Sequence, residues 1–335
     1  MQSIKNLFAI LLAPVSAIYW AITSIRNWFY DIGILKSTFF DIPIVSVGNL
    51  AVGGSGKTPM VEYLIRELQN EYNIATLSRG YGRKTKGFLW VEKDGMPSQT
   101  GDEPLQIKSK FEDIAVAVCE DRVAGVKRIL KEKPDTNLII LDDAFQHRAI
   151  KPSTSLLLST YDRPFFKDWL MPSGRLRERR AGAQRADAII FTKCPDKIKL
   201  VQWSGKPMFY SRINYQKLNI EGPVFGFSAL ADNSVFKTHL ENNYNTIGFK
   251  EFPDHYNYKN ADITQLLSNA KGATLLCTEK DWIKVNKICP QEIIRCLPIS
   301  NNIEGNQNFN QWLRSHLHVE WAFNNIGSIT NNNES

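Results

Sequence analysis

The stretch Ile44-Val45-Ser46-Val47-Gly48-Asn49-Leu50-Ala51-Val52-Gly53-Gly54-Ser55-Gly56-Lys57-Thr58 decides the fold of this 335-residue chain. Ile44 to Val47 reads as a short buried strand that ends in Gly48. The turn that follows opens a helix, because Glu62 to Leu68 places Leu64, Ile65 and Leu68 on one face. Strand, glycine turn and helix, in that order, are the setting in which Gly-Lys-Thr cradles phosphate. The glycines let backbone N–H groups turn toward phosphate oxygens, and the helix N-terminus adds partial positive charge. Gly53, Gly54, Ser55, Gly56, Lys57 and Thr58 are therefore the candidate nucleotide-binding residues. Lys57 would reach the β- and γ-phosphates, and the Thr58 hydroxyl would ligate Mg²⁺. Ala51 stands where the G-x-x-x-x-G-K-[ST] pattern has its first glycine. The signal speaks for a bound nucleotide and leaves the reaction open.

Working outward, apolar runs alternate with helical stretches. Ile74–Ser78, Ile114–Val118, Leu138–Leu141, Leu156–Leu158 and Ala188–Phe191 read as strands, and Arg122–Lys131 as a helix. Continuous apolar runs mean strands buried on both faces, hence an α/β fold of the P-loop NTPase type with a mostly parallel sheet. Ligands of such sheets sit at the carboxyl ends of the strands. Past residue 205 the pattern changes to extended segments at Phe209–Gln216 and Pro223–Phe227, a helix at Ile263–Leu267 and a strand at Thr274–Cys277. The expected organisation is a hydrophobic membrane-associated helix region over 1–38 and a P-loop core over 39–205. A smaller C-terminal α/β lobe follows over 206–323, and an Asn-rich disordered tail over 324–335.

The first thirty residues are the compositional outlier. Asn6 to Ile25 carries no charge, Lys5 and Arg26 flank it, and Trp28, Phe29 and Tyr30 follow. The length approaches that of a spanning helix, but Pro14, Ser16, Thr23 and Ser24 dilute it and the aromatic cluster suits an interfacial anchor. The whole chain is 43% hydrophobic and 22% charged with a net charge of +7, which excludes wholesale disorder and favours an anionic partner. Its five cysteines are scattered without a CxxC pair, as reduced thiols are.

Further candidates cluster by charge. Leu138-Ile139-Ile140-Leu141-Asp142-Asp143 ends a buried strand in two carboxylates, the usual place for a group that orders Mg²⁺. Neighbouring side chains on an extended backbone point apart, so the two are expected to act differently. Gln146, His147 and Arg148 bring polar groups to the same strand end. Gly101-Asp102-Glu103-Pro104 reads as an acidic pair on a tight turn, and Phe252-Pro253-Asp254-His255 as a second piece on the smaller lobe. A kinase needs a group that takes the proton of the attacking hydroxyl, and an Asp or a His–Asp pair can serve. Arg79 and Arg83 on one loop and Arg175 to Arg180 on another suit phosphate oxygens. Nucleic acid is the weaker candidate partner, since little aromatic interleaving accompanies these runs beyond Tyr81 and no recognition module is visible.

These pieces resemble the tetraacyldisaccharide 4′-kinase family. The matching segments are Val47-Gly48-Asn49 with Val52 to Pro59, Ser78 to Arg83, Gly101 to Pro104, Asp121-Arg122, Leu141 to His147, Leu176-Arg177-Glu178, Arg185-Ala186-Asp187 and Phe252 to His255. They run in collinear order over most of residues 1–285, and the family tolerates a residue other than Gly at Ala51. The resemblance implies ATP- and Mg²⁺-dependent phosphorylation of the 4′-hydroxyl of an acylated glucosamine disaccharide 1-phosphate. It implies Asp102 and His255 as a catalytic dyad with Lys57, and Thr58, Glu103, Asp142 and Asp143 around the metal. Arg79, Arg83, Arg122, Gln146, His147 and Arg177 become candidates for substrate contact. The implied partners are the lipid and the inner-membrane surface on its cytoplasmic side, with no nucleic acid and no obligate protein partner. The rival reading is a switch-type GTPase or ATPase acting on a protein or RNA. Guanine-specific members carry Asn/Thr-Lys-x-Asp, and here Thr192-Lys193-Cys194 runs into Pro195.

Overall fold

The computed structural model describes residues 11–201, 203, 205–289, 293–305 and 307–317. Residues 1–10 and the Asn-rich stretch 324–335, both named above, lie outside the described residues. In chain order the first eight strands are β1 (Ile44–Asn49), β2 (Ile74–Ser78), β3 (Leu89–Trp90), β4 (Ala115–Val118), β5 (Leu138–Asp142), β6 (Thr154–Thr160), β7 (Ala188–Thr192) and β8 (Met208–Tyr215). Then come β9 (Val224–Ser228), β10 (Thr246–Glu251), β11 (Thr274–Thr278), β12 (Ile294–Leu297) and β13 (Ile299–Ile303).

Nine of these form one sheet in the order β13-β8-β7-β6-β1-β5-β2-β4-β3, and β10-β9-β11-β12 form a second. Only β13 and β3, at the two edges of the large sheet, run antiparallel to their neighbours. The large sheet continues past residue 205, since β8 and β13 belong to it and the helix over 307–317 packs into its core through Phe309, Leu313 and Leu317. β1 lies between β5 and β6, with Val47 opposite both Asp142 and Leu156. The chain leaves β1 to one side and later returns to the other, so the crevice at the carboxyl end of β1 is the ligand position of such sheets.

Strand alternation divides the core into two faces. Val45, Val47, Leu138, Ile140, Leu156 and Leu158 pack with Met60, Val61, Leu64, Ile65 and Leu68 of the helix Lys57–Leu68. Ile44, Ile139, Leu141, Ala75 and Leu77 face the other way, onto Val126 and Ile129 of the helix Arg122–Glu132. The pattern read as two-sided burial is thus met by a helix on each face. At Gly48 an added Cβ would lie 2.6 Å from the Cβ of Phe145, so this glycine allows the segment after β5 to close over β1.

The pair Asp102-Glu103 corrects the turn expected from the sequence. It opens a nine-residue helix, Asp102–Lys110. Acidic groups suit a helix N-terminus, and Pro104 falls within the first turn, where its missing N–H has no intrahelical partner to lose.

The N-terminal helix Ala13–Asp31 is apolar on the side away from the protein. Val15, Ile18, Trp20, Ile22, Ile25 and Trp28 are exposed. Its polar residues turn inward: Ser16 donates to Ser173 Oγ (2.8 Å), Tyr19 to the Arg177 carbonyl (2.7 Å), and Asn27 to Glu178 (2.7 Å). This inverts the usual amphipathic arrangement of a globular protein. Among the described residues, no helix is long and apolar enough to cross a membrane.

Candidate active site

The glycine turn of the opening stretch sits at the carboxyl end of β1, with Gly53 at φ 110° and Gly56, which caps the helix, at φ 80°. Buried Asn49 holds the turn by donating to Ser55 Oγ at 2.8 Å, and Thr192 at the end of β7 donates to the Ser55 carbonyl at 2.9 Å. The 170s loop clamps the other edge, where Val52 N–H donates to the Arg175 carbonyl and Arg177 N–H to the Leu50 carbonyl.

The two carboxylates after β5 differ as their alternation required. Asp142 is 5% exposed, and its Oδ1 has no hydrogen-bond partner among the described residues. Burial pushes its pKa up to about 7; Lys57 and Arg122 pull it down, while Asp143 and Glu103 push it further up. Asp143 has left-handed backbone (φ 50°) and a side chain bound by Arg177 at 2.9 Å, with Lys57 Nζ 3.8 Å away. Burial alone would raise its pKa, yet Lys57 and Arg177 hold it below the usual carboxylate value. Gln146 bridges Arg177, the Asn49 carbonyl and Glu178. Glu178 also binds Arg185 at 2.8 Å.

Arg122 is 4% exposed, and burial draws its pKa down while the charges of Asp143 and Asp142 oppose that. His147 has a buried Nε2 without a partner among the described residues, and burial followed by the Arg122 charge lowers its pKa to about 4. Arg79 is exposed on its loop. Arg83 is turned into the protein, pairing with Glu120 at 2.7 Å and with the Gly87 carbonyl.

The second carboxylate site joins the two sheets. Asp102 is 8% exposed, and its Oδ2 meets His255 Nδ1 at 3.0 Å and Lys284 Nζ at 2.6 Å. Burial works to raise the Asp102 pKa, but the His255 and Lys284 hydrogen bonds and the Lys284 and Lys280 charges outweigh it and hold it low. His255 follows β10 in left-handed backbone (φ 59°), with its N–H on Asp254 and its ring 5.3 Å from that of Tyr81. Lys280 Nζ lies 3.4 Å from Glu103 and 3.2 Å from His255 Nε2.

The structure thus gathers Lys57, Asp142, Asp143, Arg122, Gln146 and Arg177 beside the glycine turn, with Glu103 acting on Asp142 and Asp102 next to it in the chain. Sequence reasoning missed Lys280 and Lys284. Their signal was a pair of lysines four apart, directly after the strand Thr274–Thr278, at the carboxyl end where ligands collect.

A family model described as tetraacyldisaccharide-1-P 4′-kinase matches residues 8–318. A tetraacyldisaccharide 4′-kinase of Flavobacterium johnsoniae is 38% identical, over 93% of this chain and 99% of its own. One from Cytophaga hutchinsonii is 42% identical, over 82% of this chain and 85% of its own. The solved structure of LpxK from Aquifex aeolicus in complex with ATP is 32% identical, with a TM-score of 0.79 over 92% of this chain and 99% of that one. Matches of this extent span both sheets and every segment that builds the crevice, and the chain belongs to the tetraacyldisaccharide 4′-kinase family.

Proposed function

We propose that this chain transfers the γ-phosphate of ATP to the 4′-hydroxyl of a tetraacyldisaccharide 1-phosphate, giving lipid IV-A in lipid A biosynthesis. The observation that carries this reading is the family match over residues 8–318, with the phosphate-loop Lys57 set beside the Asp142–Asp143 carboxylates. In the reaction, the acceptor oxygen bonds to the γ-phosphorus as the bond from that phosphorus to the bridging oxygen breaks. ADP leaves with the electron pair, and the hydroxyl proton passes to Asp102. Lys57 and Arg177 offset charge on the phosphoryl oxygens, and the two clamped loops supply positioning.

The residues present also fit Mg²⁺. Asp142 offers a buried carboxylate oxygen without a partner among the described residues, and Thr58, Glu103 and Asp143 add hard oxygen donors. Among the described residues no group of three or more His, Cys, Asp or Glu could hold a metal alone. That suits a cation that takes most of its oxygens from phosphate and water. Bound there, Mg²⁺ would neutralise charge on the β- and γ-phosphates.

The inverted N-terminal helix supports a place on the cytoplasmic face of the inner membrane, where the acylated acceptor lies. Incubation of the protein with labelled ATP and the disaccharide 1-phosphate tests the function directly. Labelled lipid is the expected product, and hydrolysis without it would return the protein to the switch-type NTPases.

A further inference from the structure

The segment that clamps the glycine turn also reaches the outer surface of the protein. Leu176, 1% exposed, pairs with the backbone of Ala51 on one side and of Leu170 on the other. Its N–H donates to the Trp169 carbonyl at 2.8 Å, and its carbonyl accepts from Met171 N–H at 3.0 Å. Gly174 permits this fold-back, because an added Cβ there would collide with the Trp169 carbonyl. Trp169 thus stands one hydrogen bond from the residue that lines Ala51, yet the residue is 69% exposed. An indole held out by so tight a turn, apolar apart from one N–H, suits the boundary between lipid and water.

Position and charge identify what Trp169 meets. Ser16 of the N-terminal helix donates to Ser173 Oγ at 2.8 Å and lies 3.4 Å from the Leu170 carbonyl. Trp169 is therefore next to the start of the helix whose outward residues are apolar. Arg163, Lys167, Arg179 and Arg180 are exposed on the same stretch of chain, and the Arg179 guanidinium lies over the Trp20 ring at 5.9 Å. Of the acids within 162–180, Glu178 is buried and Asp168 is held by Arg175 at 2.7 Å, which leaves Asp162 as the exposed one. An excess of cations beside exposed aromatic rings matches an anionic phospholipid surface.

We propose that the segment 168–180 is a second lipid contact, and that a lipid surface bound there strengthens ATP binding by steadying the clamp on the glycine turn. The clamp is a pair of backbone hydrogen bonds, Val52 N–H to the Arg175 carbonyl at 2.8 Å and Arg177 N–H to the Leu50 carbonyl at 2.7 Å. Restricting the segment therefore restricts Leu50 to Val52 with it. On lipid the segment is held at two points, Trp169 by the headgroups and Ser173 by the docked helix. Ordering that the lipid has already imposed is not charged again to the nucleotide. Linkage makes the effect mutual, so ATP raises the affinity for lipid by the same factor. The proposal rests on the membrane placement above and gives the bilayer a regulatory role in it.

Full-length protein and vesicles of phosphatidylglycerol and phosphatidylcholine, with no acceptor present, test this. The emission of wild type minus that of Trp169→Phe isolates one of the eight tryptophans. That difference should shift to the blue on the vesicles and be quenched by phospholipid brominated in its chains. The Kd for ATP should fall about fivefold when vesicles are added, and ATP should tighten vesicle binding equally. Hydrogen exchange at the Val52 and Arg177 amides should slow on vesicles before any nucleotide is added. Trp169→Ala should still pellet with vesicles through the helix and bind ATP as wild type does in their absence, but lose the tightening. An unshifted difference emission from protein that pellets would overturn the lipid contact. Tightening that is absent from wild type, or kept in full by Trp169→Ala, would overturn the coupling. Wild-type protein that stays in the supernatant would remove the membrane placement along with the proposal. Failure to label the acceptor would instead remove the kinase function and leave these binding results standing.

Discussion

Asp142 keeps a buried carboxylate oxygen that no described residue satisfies, and burial pushes its pKa to about 7 from the ordinary 3.8. The folded state therefore binds this proton more tightly than the unfolded chain does. The resulting stability is complete below about pH 4 and is lost as the pH rises to about 7, a difference of roughly 4 kcal/mol. Asp142→Asn should raise the Tm of the nucleotide-free, metal-free protein by about 5 °C at pH 8, a gain that fades toward pH 4. An unchanged Tm at pH 8 in differential scanning fluorimetry would contradict the buried-charge account. Asp102→Ala should act on the rate, lowering kcat by about 10²- to 10⁴-fold with KM for ATP nearly unchanged. A selective rise in that KM would instead make Asp102 a nucleotide contact. The phosphate loop and Asp142 were legible from local sequence, because a glycine turn after a strand and a carboxylate at a strand end are local patterns. The link from Asp102 to His255, 153 positions apart, came only through the family resemblance, and the two lysines behind it were not seen at all.

The helices Asp102–Lys110 and Glu279–Val285 meet end to opposite end. Asp102 and Glu103 at the start of the first face Lys284 and Lys280, while Lys110 near its end binds Glu279 at the start of the second. Lys110 also binds Glu62 of the helix Lys57–Leu68, a residue 0% exposed that takes a further hydrogen bond from Gln106. One ammonium thus satisfies two carboxylates from both halves of the molecule, and burial followed by the Glu62 charge holds the Glu279 pKa above its ordinary value. Lys110→Met should take the ammonium from both carboxylates, leaving Glu62 with Gln106 and the more distant Arg66, and cost about 3 to 5 kcal/mol in urea denaturation; a loss below 1 kcal/mol would show that water replaces the ammonium there. None of this seam was legible beforehand. The helical spacing of Leu64, Ile65 and Leu68 carried no sign that Glu62 would be buried, and the helix after Gly101 looked like a turn because Gly and Pro bracket its first two residues. The strands of the large sheet were easier, since two-sided burial writes continuous apolar runs. Strand Thr246–Glu251 is half-exposed along most of its length and has no such run, and β3 is two residues long.

At the scale of the molecule, the inward polar stripe of the N-terminal helix ties it to the loop that clamps the glycine turn. Ser16, Tyr19 and Asn27 all bond to residues 173–178, and Arg177 from that loop holds Asp143. The apolar residues Val15, Ile18, Trp20, Ile22, Ile25 and Trp28 are left outward. Deleting residues 1–30 should move the protein from vesicle pellet to supernatant in a sedimentation assay with anionic phospholipid. Retention in the pellet would shift the docking role to the basic loops. The hydrophobic character of this segment was plain in the sequence, but which side would face the protein was not, because its inward contacts are made by scattered hydroxyl and amide groups that the apolar pattern conceals.

Under the proposed docking on lipid, the outward apolar residues of the N-terminal helix change what concentration means for this enzyme. Once docked, the protein meets its acceptor by lateral diffusion in a sheet of lipid, so turnover follows the mole fraction of acceptor in that sheet. Diluting the acceptor with inert phospholipid at fixed bulk amounts then slows the reaction as surely as withdrawing substrate would, while ATP continues to arrive from three dimensions.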